Sequence, residues 1–201
     1  MIKGYYFITD ASLSLKGNLN DVDMAVEAGT KIIQYRNKKA ETRELFEEAT
    51  ELMKKCTNAL FIINDRIDVA LAIDADGVHL GQEDMPYKTA RKLLGKDKIL
   101  GITVHNIEEA NEAYRAGANY LAVSPIYKTK TKHDAGKPIG LELIKSIKKD
   151  LNIPVVAIGG IDLTNAVEVI SAGADSLCAI SAVITKDNVK KEIEKFQELF
   201  K

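Results

Sequence analysis

The chain has 201 residues, 46% of them hydrophobic, and a formal net charge of -1 at pH 7. Such a chain can bury a full core, and its near-neutral charge argues against general binding to nucleic acid or to a membrane surface. Its two cysteines, Cys56 and Cys178, lack paired metal-ligand spacing and indicate a reducing compartment. Because no apolar run approaches the roughly 20 residues of a membrane span, and the first residues carry no basic leader, we expect a cytoplasmic protein.

Short apolar runs alternate with helix-period segments along the whole chain. Most runs are continuously apolar, as expected for parallel strands that are covered on both faces, and the segments between them repeat apolar residues at spacings of three and four. The predicted strands are Tyr5–Thr9, Lys31–Tyr35, Ala59–Asn64, Gly77–Leu80, Ile99–Thr103, Tyr120–Ser124, Val155–Ile158 and Ser176–Ile180. The predicted helices are Leu19–Ala28, Arg43–Lys55, Ile67–Ile73, Tyr87–Leu94, Ile107–Ala116, Leu141–Asp150, Leu163–Ser171 and Val189–Phe200.

These units predict an α/β fold, a single (β/α)8 TIM barrel near the lower size limit of that fold. A recurring Ala-Gly pair supports the count, since Gly29, Gly117 and Gly173 each lie between a helix and a strand, where glycine supplies the left-handed turn. An open sheet of eight strands is compatible with the same pattern. No composition shift or linker divides the chain, so we expect one domain over residues 1–201.

A long loop, residues 124–140, connects the sixth strand to the next helix. Such connections usually need only a few residues. The loop gathers lysines and threonines, which suit a phosphorylated ligand because each donates hydrogen bonds to phosphate oxygens; a solvated surface loop is the alternative. These residues are Lys128, Thr129, Lys130, Thr131, Lys132 and Lys137.

Polar strings also follow most of the other strands. In a TIM barrel these strand ends lie on one rim, which is where the chemistry occurs, so the strings are expected to converge there. They are Gln34-Tyr35-Arg36-Asn37-Lys38, Asn64-Asp65, Gly81-Gln82-Glu83-Asp84, Thr103, Gly159-Gly160 and Ser181.

The strings closely resemble the motifs of the thiamine-phosphate synthase family, in the same order and over essentially the whole chain. The matched strings are Gln34–Lys38, Asn64-Asp65, Gly81–Asp84, Thr129–Lys132, Ile158–Ile161 and Ile180-Ser181. The resemblance implies a Mg²⁺-dependent transferase that joins 4-amino-2-methyl-5-hydroxymethylpyrimidine diphosphate to 4-methyl-5-(2-phosphoethyl)thiazole. Its products are thiamine monophosphate and pyrophosphate. The matched motifs contain no residue placed as a protein nucleophile, and the thiazole nitrogen carries no proton to remove, so we expect dissociative substitution in which pyrophosphate leaves first. A homo-oligomer is compatible with the sequence.

Asp65 and Asp84 end neighbouring predicted strands, so their carboxylates can share one hard cation. Magnesium takes few protein carboxylates and completes its octahedron with substrate phosphate oxygens and water. Asp65 could instead cap the helix that begins at Ile67. The resemblance assigns both aspartates to the metal.

The resemblance assigns the diphosphate to three cations, Arg36, Lys38 and Lys132. Arginine offers a bidentate fork and lysine a compact charge, and both stabilise charge that grows on departing pyrophosphate. Surface ion pairs with Glu41 or Glu44 are the alternative role of these cations.

Two amides, Gln34 and Asn64, suit the aminopyrimidine and its diphosphate, and Tyr35 and Asn37 lie in the same matched string as Gln34 and are included as substrate contacts. Gln34 could instead form hydrogen bonds with the backbone of the barrel.

Thr103 departs from the family, which has serine in the corresponding Gly-x-Ser-x-His string. Threonine keeps the hydroxyl, and with it a hydrogen bond to pyrophosphate, but its methyl group restricts χ1.

A second phosphate site is expected at Gly159-Gly160 and Ile180-Ser181, because barrel enzymes often hold phosphate with the loops after strands 7 and 8 and a helix N-terminus. A simple tight turn would also explain the two glycines. The resemblance places the thiazole phosphate there, and it places Thr129 and Thr131 over the thiazole ester; Lys130, in the same matched string, is included as a substrate contact.

The three histidines show no metal-ligand spacing. His79 is predicted to be a core residue, His105 to shape the start of the fifth helix, and His133 to lie on the loop surface.

Three other functions share some features of the matched motifs: a thiazole tautomerase-like paralogue that lacks the metal pair, a sugar-phosphate epimerase or lyase, and a thiamine-intermediate binding protein. The complete metal and diphosphate set argues against the paralogue and the binding protein. An epimerase or lyase needs acid and base residues that transfer protons, whereas this rim is dominated by cations and amides.

Overall fold

A computed structural model describes residues 2–129, 131 and 136–201 of the chain. Strands and helices alternate along it. The strands are β1 (Gly4–Ile8), β2 (Ile32–Tyr35), β3 (Leu60–Asn64), β4 (Gly77–Leu80), β5 (Ile99–Val104), β6 (Tyr120–Val123), β7 (Val155–Ile158) and β8 (Ser176–Cys178). The helices are α1 (Asn18–Glu27), α2 (Thr42–Lys55), α3 (Ile67–Ala72), α4 (Tyr87–Leu94), α5 (Ile107–Arg115), α6 (Glu142–Asp150), α7 (Ala166–Ser171), α8 (Ile180–Ile184) and α9 (Val189–Glu198).

The strands form a closed parallel barrel in chain order. Each strand pairs with the next, as Tyr6 does with Ile32 across β1 and β2, and β8 returns to β1 through Ser176 opposite Gly4. Closure rules out the open sheet that the sequence left as an alternative. The prediction of a (β/α)8 TIM barrel is therefore confirmed.

Side chains that alternate along the strands build two separate cores. One fills the barrel interior with residues such as Tyr6, Ile62 and Tyr120. The other lies between the barrel and the surrounding helices, where Tyr5 of β1 stacks on Phe196 of α9 with ring centroids 5.3 Å apart. The strands are almost entirely apolar on both faces. Contact with solvent therefore does not explain the few polar residues that point into the barrel, and these residues are candidates for the functional site.

The predicted element bounds differ from the observed ones mainly near the seventh and eighth units. Helix α7 begins at Ala166 rather than Leu163, because Asp162 Oδ1 accepts hydrogen bonds from the backbone and hydroxyl of Thr164 and forms a turn before the helix. Strand β8 ends at Cys178, and Ile180 begins the additional short helix α8 instead of ending the strand. Within the described ranges, no helix is long and apolar enough to cross a membrane.

Candidate active site

The carboxyl ends of the strands surround a cavity of about 360 Å³, which is within the usual size range of small-molecule sites. Every strand or the segment after it contributes to the lining, from Ile8 at the end of β1 to Ser181 after β8. The predicted site residues that line the cavity are Gln34, Arg36, Lys38, Asn64, Asp65, Asp84, Thr103, Thr129, Thr131, Gly159, Gly160, Ile180 and Ser181. The predicted residues Lys130 and Lys132 lie outside the described part of the chain.

Asp65 and Asp84 are neighbours on this rim. The Asp65 backbone has a positive φ of 61°, and its N–H donates to the His79 carbonyl at 2.8 Å. Asp84 Oδ2 accepts from Gly81 N at 2.6 Å. Burial raises the pKa of the Asp84 carboxyl, and the hydrogen-bonded, negatively charged Asp65 raises it further. Two carboxylates held together in this way favour a cation between them.

The alternative role of Asp65, capping of α3, is not observed. Arg66 is the N-cap residue of that helix, and no side chain caps it. Over residues 2–129, 131 and 136–201, no group of three histidine, cysteine or acidic side chains is arranged to hold a metal ion. A cation at Asp65 and Asp84 would therefore take its remaining ligands from water and substrate oxygens, as Mg²⁺ commonly does.

Arg36 and Lys38 lie at the end of β2 with their positive charges beside acidic partners. Lys38 Nζ pairs with Asp65 Oδ2. Arg36 Nη1 pairs with Asp10 Oδ2 at 3.0 Å, not with Glu41 or Glu44 as the alternative reading of the sequence suggested. Both cations reach the cavity and remain able to bind a phosphate oxygen there.

Asp10 is a residue of the site region that sequence reasoning missed, as are His79 and Ser124, which line the cavity. It follows β1, is 4% exposed, and accepts hydrogen bonds from Arg36 and from the backbone of Ser12. Its neighbour Thr9 holds the Arg36 backbone, because Thr9 Oγ1 accepts from Arg36 N at 2.8 Å. A buried Thr-Asp pair at a strand end was the available signal, and it indicates a group that orients the arginine.

Gln34 and Thr103 approach the cavity from opposite sides of the barrel interior. Gln34 Nε2 donates to the Tyr6 hydroxyl at 2.8 Å, so the amide does not satisfy barrel backbone. Thr103 Oγ1 lies 2.8 Å from His79 Nε2. His79 is buried, as predicted for a core residue, and its other ring nitrogen lies 2.9 Å from the Tyr120 hydroxyl.

The glycine pair after β7 packs against the start of the loop after β6. A Cβ atom at Gly159 would lie 2.7 Å from Pro125 Cβ, and one at Gly160 would lie 2.7 Å from the Lys128 carbonyl oxygen. Both glycines also have positive φ, 98° and 65°. Only glycine fits such positions without strain. The pair thus does more than form a turn, because it brings the base of the loop, and with it Thr129, against the cavity.

Comparison with known proteins identifies the family. The family model described as thiamine monophosphate synthase matches residues 5–183. The chain belongs to this family. It is 54% identical over 198 residues to the thiamine-phosphate synthase of Methanosarcina mazei, covering 98% of this chain and 82% of that protein. It is 52% identical over 198 residues to the thiamine-phosphate synthase of Methanosarcina barkeri, covering 98% and 90%.

A solved structure supports the same assignment. The thiamine phosphate pyrophosphorylase of Pyrococcus furiosus superposes with a TM-score of 0.90 at 42% identity, covering 98% of this chain and 94% of that chain. The 3-hexulose-6-phosphate synthase of Salmonella typhimurium has a TM-score of 0.78 at 17% identity, covering 98% of both chains, which reflects the fold alone. The predicted family and the prediction of a transferase are confirmed.

Two residues of the thiamine monophosphate synthase motif, Tyr35 and Asn37, do not line the cavity in this family member. Side chains alternate along a strand, so with Gln34 inward Tyr35 points outward, where its hydroxyl donates to Glu48 of α2. Asn37 Oδ1 accepts from the backbone N–H groups of Lys39 and Ala40, both at 3.2 Å. The prediction that these side chains contact substrate is therefore corrected: they shape the loop that carries Arg36 and Lys38.

His105 has the local role that the sequence predicted. Its backbone N–H donates to Glu109 Oε2 at 2.8 Å, and its Nδ1 lies 2.9 Å from the same oxygen. Asn106 caps the same turn, where its side chain accepts from Glu109 N at 2.8 Å. Together these contacts fix the start of α5. His133 lies outside the described residues.

Proposed function

We propose that this chain joins the aminopyrimidine diphosphate to the thiazole phosphate named above, releasing pyrophosphate and producing thiamine monophosphate. One observation carries the proposal: two adjacent carboxylates, Asp65 and Asp84, share a rim with Arg36 and Lys38. This combination suits a diphosphate that arrives with a divalent cation. The names of the relatives at 54% and 52% identity support the same reaction.

Magnesium fits the Asp65–Asp84 pair. Burial raises the pKa of the Asp84 carboxyl and the neighbouring Asp65 raises it further, so a cation between the two carboxylates would relieve an unfavourable charge. Bound there, Mg²⁺ would neutralise charge on the diphosphate and on departing pyrophosphate. Lys38 now balances Asp65, and it would be released to a phosphate oxygen when the cation binds.

The remaining rim groups are placed for the pyrimidine and for its leaving group. Arg36, held by Asp10, offers a guanidinium fork to the diphosphate. Thr103 offers a hydroxyl from the opposite side, and Gln34 and Asn64 offer amides to the ring and the diphosphate. Lys132 and Lys130, from the loop, complete the predicted diphosphate and substrate contacts, although they lie outside the described residues.

The bond-making step needs no protein nucleophile. The C–O bond between the pyrimidine methylene and the diphosphate breaks first, and its electron pair leaves with pyrophosphate. The thiazole nitrogen then donates its lone pair to the methylene carbon, and no proton must be removed from that nitrogen. The protein contributes positive charge around the leaving group, which is where charge accumulates in such a transition state.

The thiazole phosphate is proposed to bind on the opposite wall of the cavity. Gly159 and Gly160 leave backbone exposed there, and Ile180 and Ser181 begin α8 beside them, since β7 and β8 are paired strands. Thr129 and Thr131 line the same side. Backbone amides and hydroxyls are suitable donors to a phosphate monoester.

The direct test is incubation of the purified protein with both substrates and Mg²⁺, assayed for thiamine monophosphate. Formation of the product supports the proposal. Tight binding of either substrate without turnover would replace it with a thiamine-intermediate binding protein, and isomerisation of a thiazole precursor alone would replace it with the tautomerase.

The dissociative order of steps has its own test. An electron-withdrawing substituent on the pyrimidine ring destabilises the positive charge on the methylene carbon, so single-turnover rates should fall by orders of magnitude while binding changes little. A rate that instead follows the nucleophilicity of the thiazole would replace the dissociative step with direct displacement.

We further propose that residues 1–201 act as one TIM-barrel catalytic domain, located in the cytoplasm and bound to small molecules rather than to nucleic acid or membrane. A homo-oligomer stays a prediction, and sedimentation equilibrium would measure it.

A further inference from the structure

A continuous line of hydrogen-bonded side chains crosses the barrel interior beneath the cavity. Gln34 Nε2 donates to the Tyr6 hydroxyl at 2.8 Å, and that hydroxyl lies 2.7 Å from the hydroxyl of Tyr120. The Tyr120 hydroxyl lies 2.9 Å from His79 Nδ1, and His79 Nε2 lies 2.8 Å from Thr103 Oγ1. The line connects β2, β1, β6, β4 and β5 in that order. Only its two ends, Gln34 and Thr103, are groups that the proposed function assigns to substrate.

The middle of this line is packed rigidly. Tyr6 and Tyr120 are fully buried and do not line the cavity. The Tyr120 ring stacks on His79 with centroids 5.5 Å apart, and it occupies the space beside Gly101, where a Cβ atom would lie 2.0 Å from Tyr120 Cζ. The rings therefore have one available position each, and the hydrogen bonds follow from that packing.

The directions of these hydrogen bonds are linked. The Tyr6 oxygen accepts from Gln34, so the Tyr6 proton is left for the Tyr120 oxygen. The Tyr120 proton is then left for His79 Nδ1, which must be unprotonated in order to accept it. His79 therefore carries its proton on Nε2 and donates it to Thr103 Oγ1. Burial raises the pKa of both phenols, so both protons are retained.

The two ends of the line present opposite functions to the cavity. Because Gln34 donates its amide N–H inward, and no described side chain or backbone group donates to its Oε1, that oxygen is available to accept from a ligand. Because Thr103 Oγ1 accepts from His79, its own proton is available for a phosphate oxygen. An acceptor at one end and a donor at the other match an amino group on the ring and an anionic group beside it.

We propose that Tyr6, Tyr120 and His79 are positioning residues that fix the Gln34 acceptor and the Thr103 donor, and thereby select an aminopyrimidine over the corresponding oxopyrimidine. The proposal rests on the proposed function, since it assumes a pyrimidine diphosphate in the cavity. The oxo analogue puts a carbonyl oxygen where the amino donor would be, opposite Gln34 Oε1. A site built around one hydrogen-bond pattern rejects the reversed pattern strongly.

The first experiment reads the proton on His79 without any substrate. In a long-range ¹⁵N–¹H correlation spectrum of the labelled protein, His79 should show the neutral Nε2–H tautomer. The other histidine signals are assigned with His105→Asn and His133→Asn. An Nδ1–H tautomer or an imidazolium at His79 would overturn the proposal, because the line could not then run in the direction stated.

The second experiment measures the ratio of kcat/KM for the amino substrate to that for the oxo analogue. Tyr6→Phe removes the hydroxyl that holds Gln34 but keeps the ring, and the freed amide can rotate to present N–H to the oxo group. We expect the ratio to fall at least about fivefold, the effect of one hydrogen bond. Thr103→Val in the Tyr6→Phe background should cost less than it does alone, because the two changes act on one line.

Tyr5→Phe is the matched control. Tyr5 is also a buried tyrosine of β1, and its hydroxyl donates to the Ala179 carbonyl at 3.2 Å rather than to the line. It should leave the selectivity ratio unchanged even if both variants lose stability. An unchanged ratio in folded Tyr6→Phe would overturn the proposal. Failure of the parent protein to make thiamine monophosphate would instead remove the proposed function, and the tautomer measurement would remain readable.

Discussion

The two ends of the barrel use polar side chains in opposite ways. At the amino end, three residues that each precede a strand accept a hydrogen bond from the backbone N–H of the preceding strand in the sheet. The contacts are Asp76 with Phe61 N at 2.7 Å, Asn119 with Leu100 N at 2.8 Å and Asp175 with Val155 N at 2.8 Å. The same device thus recurs before β4, β6 and β8. These polar groups are satisfied by the fold itself, and they stabilise it.

At the carboxyl end, charged side chains are satisfied mainly by one another. Lys38 pairs with Asp65, Asp65 lies against Asp84, and Arg36 pairs with Asp10. Asp65 adopts a positive φ of 61°, but Asp74 before β4 has a φ of 58°, so backbone conformation does not distinguish the two ends as the exchangeable partners do. Partners of this kind can be exchanged for a ligand, whereas backbone partners cannot. The comparison predicts that substitutions at the carboxyl end change activity and that those at the amino end change stability.

The largest effect is expected for Asp84→Asn. The amide retains the shape of the side chain and can still accept from Gly81 N, but it removes one of two charges that would hold Mg²⁺. We expect kcat/KM to fall by about a hundredfold or more, since a catalytic cation contributes several kcal/mol. The thermal midpoint should not fall, because the substitution removes a buried charge next to Asp65. Steady-state kinetics over a range of Mg²⁺ concentrations, with calorimetry, measures both quantities.

An unchanged Mg²⁺ dependence in Asp84→Asn would remove the metal assignment. A lower thermal midpoint would mean that Asp84 stabilises the fold, as Asp76 and Asp175 do at the amino end. The proposed division between a stabilising end and a functional end would then not hold for this residue.

Asp76→Ala tests the other end of the barrel. It leaves the Phe61 N–H without its acceptor in a partly buried position, and an unsatisfied backbone donor costs about 1–3 kcal/mol. For a protein of this size each kcal/mol lowers the thermal midpoint by about 2–4 °C. Activity per folded molecule should be unchanged, because Asp76 does not line the cavity. Asp97→Ala, an exposed residue in the turn before β5, is the control and should have little effect on stability.

Thr103→Val should have a smaller effect on activity than Asp84→Asn. Valine keeps the volume and the β-branch but removes the hydroxyl that would donate to the diphosphate. A hydrogen bond to a charged group contributes roughly 1.5–3 kcal/mol, so we expect kcat/KM to fall by about tenfold or more, while Thr103→Ser retains most of it. Equal activity of Thr103→Val and the parent would show that the residue acts through its shape alone.

The sequence predicted features that depend on local pattern better than those that depend on pairing at a distance. The bounds of β4 and α4 were predicted without error, because apolar runs and spacings of three and four are local signals. Tyr35 was misassigned because a motif does not reveal which side of the strand each of its residues faces. The Tyr6–Tyr120 hydrogen bond joins residues 114 positions apart, and no pattern in the sequence connects them until the barrel is closed.

The smallest effect, opposite in sign, is expected for Asp21→Asn in α1. Asp21 is 1% exposed, and its Oδ2 has no hydrogen-bond partner among the residues that the structure describes. Burial raises the pKa of this carboxyl, although Ser14 and Lys16 partly oppose the shift. A charge that is disfavoured in the folded state costs stability once it forms, and asparagine removes it. We expect the free energy of unfolding at pH 7 to rise by about 1 kcal/mol.

The pH dependence separates this charge effect from a packing effect. Because the folded pKa of Asp21 is raised above its ordinary value of 3.8, the parent is penalised progressively as pH rises from about that value through the folded pKa. The advantage of Asp21→Asn should therefore be full at pH 7 and should vanish at lower pH, where the carboxyl is protonated in both states. A gain that persists unchanged at low pH would mean that the amide packs better, and no gain at pH 7 would mean that the carboxylate has a compensating partner. Activity should stay at the parent level in either case, since Asp21 does not line the cavity. A gain in stability at pH 7 without a loss of activity would show that the Asp21 carboxylate destabilises the fold and has no role in the site.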